Sequence, residues 1–219
     1  MITTSVFDLF KIGPGPSSSH TIGPMKAAFD FVQRLAGLPP DQLAKADSIH
    51  IHLYGSLSAT GKGHGTDRAI VAGLLGWQPE TTDPEALNQL LRDPAITYPV
   101  QVGDRTFPIS AASFHFERVR YESPHANTMV LKLTGAGDLL TSEEYYSIGG
   151  GFIIRKGDTA DANRTITVPY PYNTMKELKA HLSESGLPLA DVLLANEMAI
   201  SGRSLKEVNL RLDHLIEAM

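Results

Sequence analysis

The chain has 219 residues, of which 42% are hydrophobic and 20% charged, so it can bury a core of domain size and is not a disordered segment. Its 19 Lys and Arg residues are outnumbered by 24 Asp and Glu residues, and the net charge of -5 excludes a strongly basic nucleic-acid surface. The sequence has no cysteine, which excludes disulfides, cysteine nucleophiles and any iron–sulfur cluster held by cysteines of this chain.

The first third of the chain predicts one long helix and one half-buried strand. A loop rich in Gly, Pro and Ser over 11–20 leads into Thr21 to Leu35, where apolar residues recur at helical spacing until Gly37. Ser48 to Tyr54 alternates Ile and Leu with His and Tyr, which is typical of a strand with one buried face. Further along, the pattern predicts a turn-rich loop over 55–65 and helices over 67–75 and 83–91.

The middle of the chain changes to strand patterns. Candidate strands are 98–102, 106–109, 114–121, 128–134 and 145–154. Together with the preceding helices they predict an α+β domain with an antiparallel or mixed sheet.

The last part of the chain is helical. Helices are predicted over 174–185, 188–201 and 204–218, and Thr174 with Glu177 has the spacing of a capping box, as has Ser204 with Glu207. A helical segment of about 45 residues is small for a self-sufficient domain, so we expect it to begin a larger one. The predicted organisation is a domain over 1–155, a linker over 156–173 and a helical segment over 174–219.

Polar loops carry the possible chemistry, and the first is G-P-G-P-S-S-S-H at Gly13 to His20. Its hydroxyls, its glycines and the free amides of a helix start can bind an anion such as a carboxylate. The alternative is an N-cap loop in which one Ser caps the helix and the others are solvated.

The second loop is G-S-L-S-A-T-G-K-G-H-G-T-D at Gly55 to Asp67. It does not have the spacing of a P-loop or of a dinucleotide-binding fingerprint, so both kinds of nucleotide site are excluded. It leaves His64 between glycines that allow close approach of the backbone, with Lys62 and Asp67 nearby to tune its charge.

The third loop, S-P-H-A-N-T at 123–128, presents His125 and Asn127 just before a strand, where they either cap a turn or orient a substrate. His50 and His52 share one strand face and could ligate a metal, but the sequence shows no third ligand, so a half-buried polar face is the default. The remaining histidines considered, His115, His181 and His214, are expected to be structural or exposed.

These loops occur in a fixed order together with two further motifs. The motifs are S-V-F-D-L-F at 5–10, G-P-S-S-S-H-T-I-G-P-M at 15–25, G-K-G-H-G-T-D at 61–67, H-A-N-T at 125–128 and Y-Y-S-I-G-G-G-F at 145–152. In this order, across about 150 residues, they resemble the iron–sulfur-dependent L-serine dehydratases, more fully L-serine ammonia-lyases.

The resemblance implies a fold and a cofactor. Residues 1–155 would form the family's β domain, an α+β fold similar to the allosteric substrate-binding domain of some D-3-phosphoglycerate dehydrogenases, followed by a short all-α segment. The helices from Thr174 resemble the start of the family's α domain, whose cysteines hold a [4Fe–4S] cluster. This chain has no cysteine, so we expect it to be the N-terminal part of a longer enzyme, inactive alone. A further departure is the extra Gly-Pro in K-I-G-P-G-P-S-S-S-H at 11–20, which could alter anion affinity.

The implied reaction converts L-serine to pyruvate and ammonia. It requires a base for a weakly acidic α-proton, for which a neutral His is suited, and a Lewis acid for the departing hydroxide, which the cluster can supply. We assign the base to His64, with Asp67 fixing its tautomer and Lys62 stabilising the substrate carboxylate, and His125 remains the alternative base. The residues assigned to substrate binding are Ser17, Ser18, Ser19, His20, Thr21, Lys62, Gly63 and Asn127.

A second class of function stays open, a regulatory domain that binds a small anion or an amino acid without chemistry of its own. Its site would comprise Gly13 to His20 and Lys62, and it gives no reason for a His between glycines at position 64. The partners we expect are L-serine, a cysteine-bearing α domain and a second copy in a homodimer, without nucleic acid. Because the sequence lacks an apolar run of about 18 residues and a signal-peptide pattern, we expect a cytoplasmic protein without membrane contact.

Overall fold

The computed structural model describes residue 2 and residues 4–119, 121–158 and 166–218. It divides the chain into two compact units. Of the described residues, 13–119 and 121–158 form the sheet unit, and residues 2, 4–12 and 166–218 form the helical unit. Within the described ranges, no helix has the length and apolarity that crossing a membrane requires.

The described elements follow one another in a mixed order of helices and strands. The helices are α1 Val6–Leu9, α2 Gly23–Ala36, α3 Pro40–Ala44, α4 Gly55–Thr60, α5 Thr66–Leu74, α6 Pro84–Gln89, α7 Met175–Ser185, α8 Leu189–Ser201 and α9 Leu205–Ala218. The strands are β1 Ser48–Tyr54, β2 Tyr98–Val102, β3 Arg105–Ile109, β4 Phe114–Phe116, β5 Asn127–Gly135, β6 Asp138–Gly149 and β7 Phe152–Arg155. A π-helical turn, Ser18–Ile22, leads directly into α2.

The main sheet of the sheet unit has the strand order β4-β1-β5-β6-β7. Strand β1 pairs with β4 in parallel and with β5 in antiparallel orientation, and the β5–β6 and β6–β7 pairs are antiparallel. Strands β2 and β3 form a separate hairpin. The α+β class with a mixed sheet is therefore confirmed.

One face of the sheet packs against the hydrophobic core, as the burial pattern of β1 shows. Its burial alternates residue by residue, so Ile51 and Leu53 are fully buried in one apolar cluster with Met25 and Phe31 of α2. The alternating His and Tyr side chains of β1 are half-buried on the opposite face. The prediction of a strand with one buried face is correct.

Some predicted elements differ from those observed. The loop predicted over 55–65 is partly wrong, because its first six residues form α4. The single strand predicted over 145–154 is two strands, because Gly149, Gly150 and Gly151 all have positive φ and turn the chain between β6 and β7. The strand predicted over 114–121 is shorter, ending at Phe116.

In the helical unit, the three predicted helices are observed as α7, α8 and α9. The capping box at Thr174 and Glu177 is present. The first residues of the chain belong to this unit: the buried carboxylate of Glu197 accepts hydrogen bonds from the Ser5 hydroxyl at 2.7 Å and from the Val6 amide at 2.9 Å. The predicted division, which is drawn at residue 155, differs from this grouping in placing residues 1–12 with the sheet.

Candidate active site

The loop before α2 is built by its own serines. The Ser17 hydroxyl accepts a hydrogen bond from the backbone amide of His20 at 3.2 Å and so caps the π-helical turn. The Ser19 hydroxyl lies 3.3 Å from that of Ser17 and 2.9 Å from Nδ1 of His20. One serine therefore caps the turn, as the N-cap alternative expects, and a second one contacts an imidazole.

His20 is held at both ends of its ring. Its Nε2 lies 3.0 Å from the hydroxyl of Ser56, which comes from the first turn of α4. Only 9% of the residue is exposed. Burial, followed by the repulsion between the rings of His20 and His64 when both are protonated, lowers the pKa of His20 below its ordinary value, so the ring of His20 is neutral near pH 7.

His64 lies beside His20, with a distance of 4.8 Å between the ring centroids. Its Nδ1 is 2.9 Å from the backbone carbonyl of Thr60, and its own carbonyl accepts a hydrogen bond from the Thr21 hydroxyl at 3.1 Å. Because a carbonyl can only accept, Nδ1 of His64 must carry the proton in this contact, and Nε2 of the neutral ring keeps its lone pair.

Asp67 does not take the orienting role that the sequence suggested. Its carboxylate accepts a hydrogen bond from the Arg68 amide at 2.9 Å, while Nδ1 of His64 is held by Thr60. Burial raises the pKa of the Asp67 carboxyl above its usual range, and the amide and charge of Arg68 offset part of that rise. The tautomer of His64 is therefore set by a backbone carbonyl.

Lys62 and Asp67 line a cavity of about 660 Å³ in the sheet unit. Arg68 and Arg92 contribute further positive charge to its lining. The ammonium of Lys62 lies 4.9 Å from the centroid of the Phe116 ring. The cavity thus combines three cationic side chains with one carboxylate.

The third loop presents His125 in the opposite tautomer. Nδ1 of His125 accepts a hydrogen bond from the backbone amide of Asn127 at 3.0 Å. An amide N–H can only donate, so in the neutral ring the proton is on Nε2. The side chain of Asn127 donates to the carbonyl of Ser147 at 3.1 Å.

Hydrogen bonds to backbone carbonyls join the three loops and β6 at one end of the sheet. The Ser56 amide donates to the carbonyl of Ala126 at 2.9 Å, which links α4 to the loop of His125. The fully buried Ser147 donates its hydroxyl hydrogen bond to the carbonyl of Ser19 at 2.8 Å, which links β6 to the first loop. We call the group formed by Ser19, His20, Ser56, Thr60 and His64 the imidazole cluster.

The open face of the sheet carries three further histidines. Nδ1 of His52 lies 2.7 Å from the carboxylate of Glu117, and its ring stacks on that of His115 at 4.5 Å. Nδ1 of His50 is 3.4 Å from Nε2 of His115. Across the ranges that the structure describes, no group of three or more His, Asp or Glu side chains is arranged to hold a metal ion. The described residues therefore provide no third ligand for a metal ion at His50 and His52.

Sequence reasoning missed Ser56, the carbonyl of Thr60 and Ser147. All of them reach residues distant in the sequence or act through the backbone, so local composition gives no signal for them. The sequence hints are that Ser56 and Thr60 lie in the same Gly-rich segment as His64, and that Ser147 lies in the motif at 145–152.

Comparisons with known proteins cover most of the chain. The family profile described as "Serine dehydratase beta chain" matches residues 5–158. The chain is 37% identical over 210 residues to an L-serine dehydratase of Haemophilus influenzae, which covers 94% of this chain and 46% of that protein. It is 37% identical over 226 residues to L-serine dehydratase 1 of Escherichia coli, covering 98% of this chain and 47% of that protein. The chain thus spans about half the length of the curated relatives it matches.

Proposed function

The chain belongs to the serine dehydratase beta chain family, and from that premise we propose that it supplies the substrate-side residues of an L-serine ammonia-lyase. The resemblance inferred from the motifs is thereby confirmed at the level of the family. In the proposed reaction L-serine first loses water to give an aminoacrylate, which tautomerises to an imine. A water molecule then hydrolyses the imine to pyruvate and ammonia. The working form of the enzyme would include the part of the longer relatives that this chain does not cover.

His64 is the proposed base, and one observation carries that assignment. Its Nδ1 is tied to the Thr60 carbonyl at 2.9 Å, so the free Nε2 of the neutral ring can accept the α-proton of the substrate. Nε2 of neutral His125 carries a proton because Nδ1 accepts from Asn127. His125 is therefore suited to donate a hydrogen bond to substrate, and the alternative that it is the base is disfavoured.

The proposed substrate-binding residues surround this base. They are Ser17, Ser18, Ser19, His20, Thr21, Lys62, Gly63 and Asn127. The hydroxyls of Ser17 and Thr21 are engaged by the backbone of His20 and His64, so we propose that these two act by shaping the loop. Lys62 provides the positive charge that would stabilise the substrate carboxylate as negative charge develops at the α-carbon. Asp67, half-buried beside Arg68 and Lys62, would tune the charge around His64.

The described residues of this chain include none that could hold the iron–sulfur cluster implied by the resemblance to the iron–sulfur-dependent L-serine dehydratases. The sequence has no cysteine, and the described residues hold no alternative metal-ligating group of three or more His, Asp or Glu side chains. We therefore propose that cluster ligands come from a cysteine-bearing α domain, and we assign to this chain only substrate binding and proton removal.

The other expectations also stand as proposals. The sheet unit would have the fold of the allosteric substrate-binding domain of D-3-phosphoglycerate dehydrogenases. The complete enzyme would be a cytoplasmic homodimer that contacts neither nucleic acid nor membrane. A size measurement of the complete enzyme in solution would test the dimer.

Steady-state kinetics of the complete enzyme test the assignment of the base. His64→Ala should lower kcat for L-serine at least ~100-fold, the usual effect of losing a general base. His125→Ala should lower kcat/KM by about tenfold, the effect of one hydrogen bond. A near-normal kcat for His64→Ala, or a much larger loss in His125→Ala, would contradict the assignment.

A second candidate function is regulatory binding of a small anion, which the cationic lining by Lys62, Arg68 and Arg92 favours. It can be tested on this chain by calorimetry with inorganic phosphate. Saturable binding that Arg92→Ala abolishes and Lys45→Gln preserves would support this function, because Lys45 is an exposed cation of the sheet unit outside that lining. Absence of saturable binding would count against it.

A further inference from the structure

The ring of His20 lies between two hydroxyl groups, one from the preceding residue and one from a distant part of the sequence. Ser19 contacts Nδ1 at 2.9 Å and Ser56 contacts Nε2 at 3.0 Å. Ser19 precedes His20 directly, whereas Ser56 lies 36 residues away at the start of α4. The orientation of the ring therefore depends on a tertiary contact made by Ser56.

Ser56 is itself fixed in place. Its amide donates to the Ala126 carbonyl at 2.9 Å, and its carbonyl accepts from the Thr60 hydroxyl at 3.0 Å. The same Thr60 holds Nδ1 of His64 through its backbone carbonyl. One turn of helix thus fixes both imidazoles, His20 through a side chain and His64 through the backbone.

The two hydroxyl contacts of His20 suit a neutral ring. A serine hydroxyl can donate or accept a hydrogen bond, so the two hydroxyls satisfy either neutral tautomer of His20 without rotation of the ring. His64 lies 4.8 Å away between ring centroids, and a second positive charge at that separation would be repelled in a half-buried site. A fixed, neutral His20 leaves His64 free to carry the proton that it removes.

We infer that Ser56 is a positioning residue, whose hydroxyl holds the His20 ring in the orientation that binds substrate next to His64. This inference rests on the proposed function for its kinetic consequence and on the geometry alone for the orientation of His20. It goes beyond the residues assigned from the sequence, since Ser56 is not among them. Ser58 provides a matched control, because it lies in the same helix and its hydroxyl donates instead to the carbonyl of Glu117 at 2.8 Å.

The orientation is tested by long-range ¹H–¹⁵N spectra of the imidazoles in this 219-residue chain. Ser56→Ala should change the shift of His20 Nε2 and broaden the His20 signals, because the ring loses one of its two anchors. The signals of His64 should keep the pattern of a protonated Nδ1, and Ser58→Ala should leave both rings as in the parent chain. His20 signals that are the same in Ser56→Ala as in the parent chain would overturn the inference.

The consequence for substrate is tested in the complete enzyme. Ser56→Ala should raise KM for L-serine by roughly tenfold, the effect of one hydrogen bond, with kcat changed by less than about threefold. Ser56→Thr, which keeps the hydroxyl, should restore KM. A changed His20 spectrum without a change in KM would overturn the role in substrate binding.

Failure of the wider proposal would look different. If the complete enzyme with His64→Ala kept a normal kcat, the proposed function would fail whatever the spectra of Ser56→Ala showed. Conversely, an unchanged His20 spectrum in Ser56→Ala would reject the positioning role even with His64 established as the base.

Discussion

Gly55 joins the strand β1 to the helix that carries Ser56, and replacing it with Ala tests how the site is held. Gly55 has φ of +55°, in the left-handed region. A Cβ placed there would lie less than 3.0 Å from the carbonyl oxygen of Ala126 and 3.2 Å from its carbonyl carbon. The same carbonyl oxygen accepts the hydrogen bond of the Ser56 amide, so Gly55→Ala disturbs the link between α4 and the His125 loop.

The expected destabilisation has two parts. Left-handed backbone costs a non-glycine residue roughly 1–2 kcal/mol. Moving the Ala126 carbonyl away from the new methyl group breaks its hydrogen bond with the Ser56 amide, and such a bond contributes roughly 0.5–1.5 kcal/mol. We therefore expect Gly55→Ala to lower the free energy of unfolding of the sheet unit by about 1.5–3.5 kcal/mol.

Urea denaturation followed by fluorescence of Trp77 measures this change, because Trp77 is the single tryptophan of the chain and packs against the core of the sheet unit. Gly103→Ala is the matched control: its φ is also +55°, but its Cβ would make only an ordinary contact at 3.6 Å with Leu43. Gly103→Ala should show the backbone cost alone. If Gly55→Ala costs no more than Gly103→Ala, the reasoning about the Ala126 contact is refuted.

Two further predictions concern titration and the helical unit. Burial, and then the repulsion from His64 when both rings are protonated, hold the pKa of His20 below its ordinary value of 6.5. Between that lowered value and 6.5 the unfolded chain binds protons that the folded chain does not, so the free energy of unfolding falls as pH decreases through this window. His20→Gln should flatten this part of the pH dependence in urea denaturation, and an unchanged slope would argue against a neutral, buried ring. In the helical unit, Glu197→Ala removes the acceptor of the Ser5 hydroxyl and the Val6 amide, which should lower the local opening free energy by roughly 1.5–3 kcal/mol. Hydrogen exchange at the Val6 amide measures this, with the exposed Glu184→Ala as control, and equal exchange in both variants would disprove the role of Glu197.

Sequence patterns correctly predict those elements whose formation depends mainly on interactions between neighbouring residues. The alternation in Ser48–Tyr54 and the capping box at Thr174 are both present in the structure, because each depends on residues close in the sequence. The sequence does not predict the helix Gly55–Thr60, because G-S-L-S-A-T has weak helix propensity. Tertiary contacts, such as those of the fully buried Leu57, help to stabilise it.

In the candidate site, too, the sequence identifies residues but not their tertiary contacts. It points to His20, His64 and His125, because histidines in polar loops are common candidates for acid–base chemistry. It could not supply the Thr60 carbonyl, which orients His64 through the backbone, or the reach of Ser56 to His20 across 36 residues. It also placed Asp67 beside His64, whereas the structure pairs the carboxylate with the Arg68 amide.

Pyruvate formation from L-serine under anaerobic conditions tests directly whether His64 is the base of a dehydratase. This chain would be assayed alone, and then together with the proposed cysteine-bearing α domain after cluster reconstitution, each with His64 and with His64→Ala. We expect pyruvate only in the mixture that contains His64. Pyruvate at an undiminished rate with His64→Ala, or none from a mixture with a demonstrably intact cluster, would contradict this expectation.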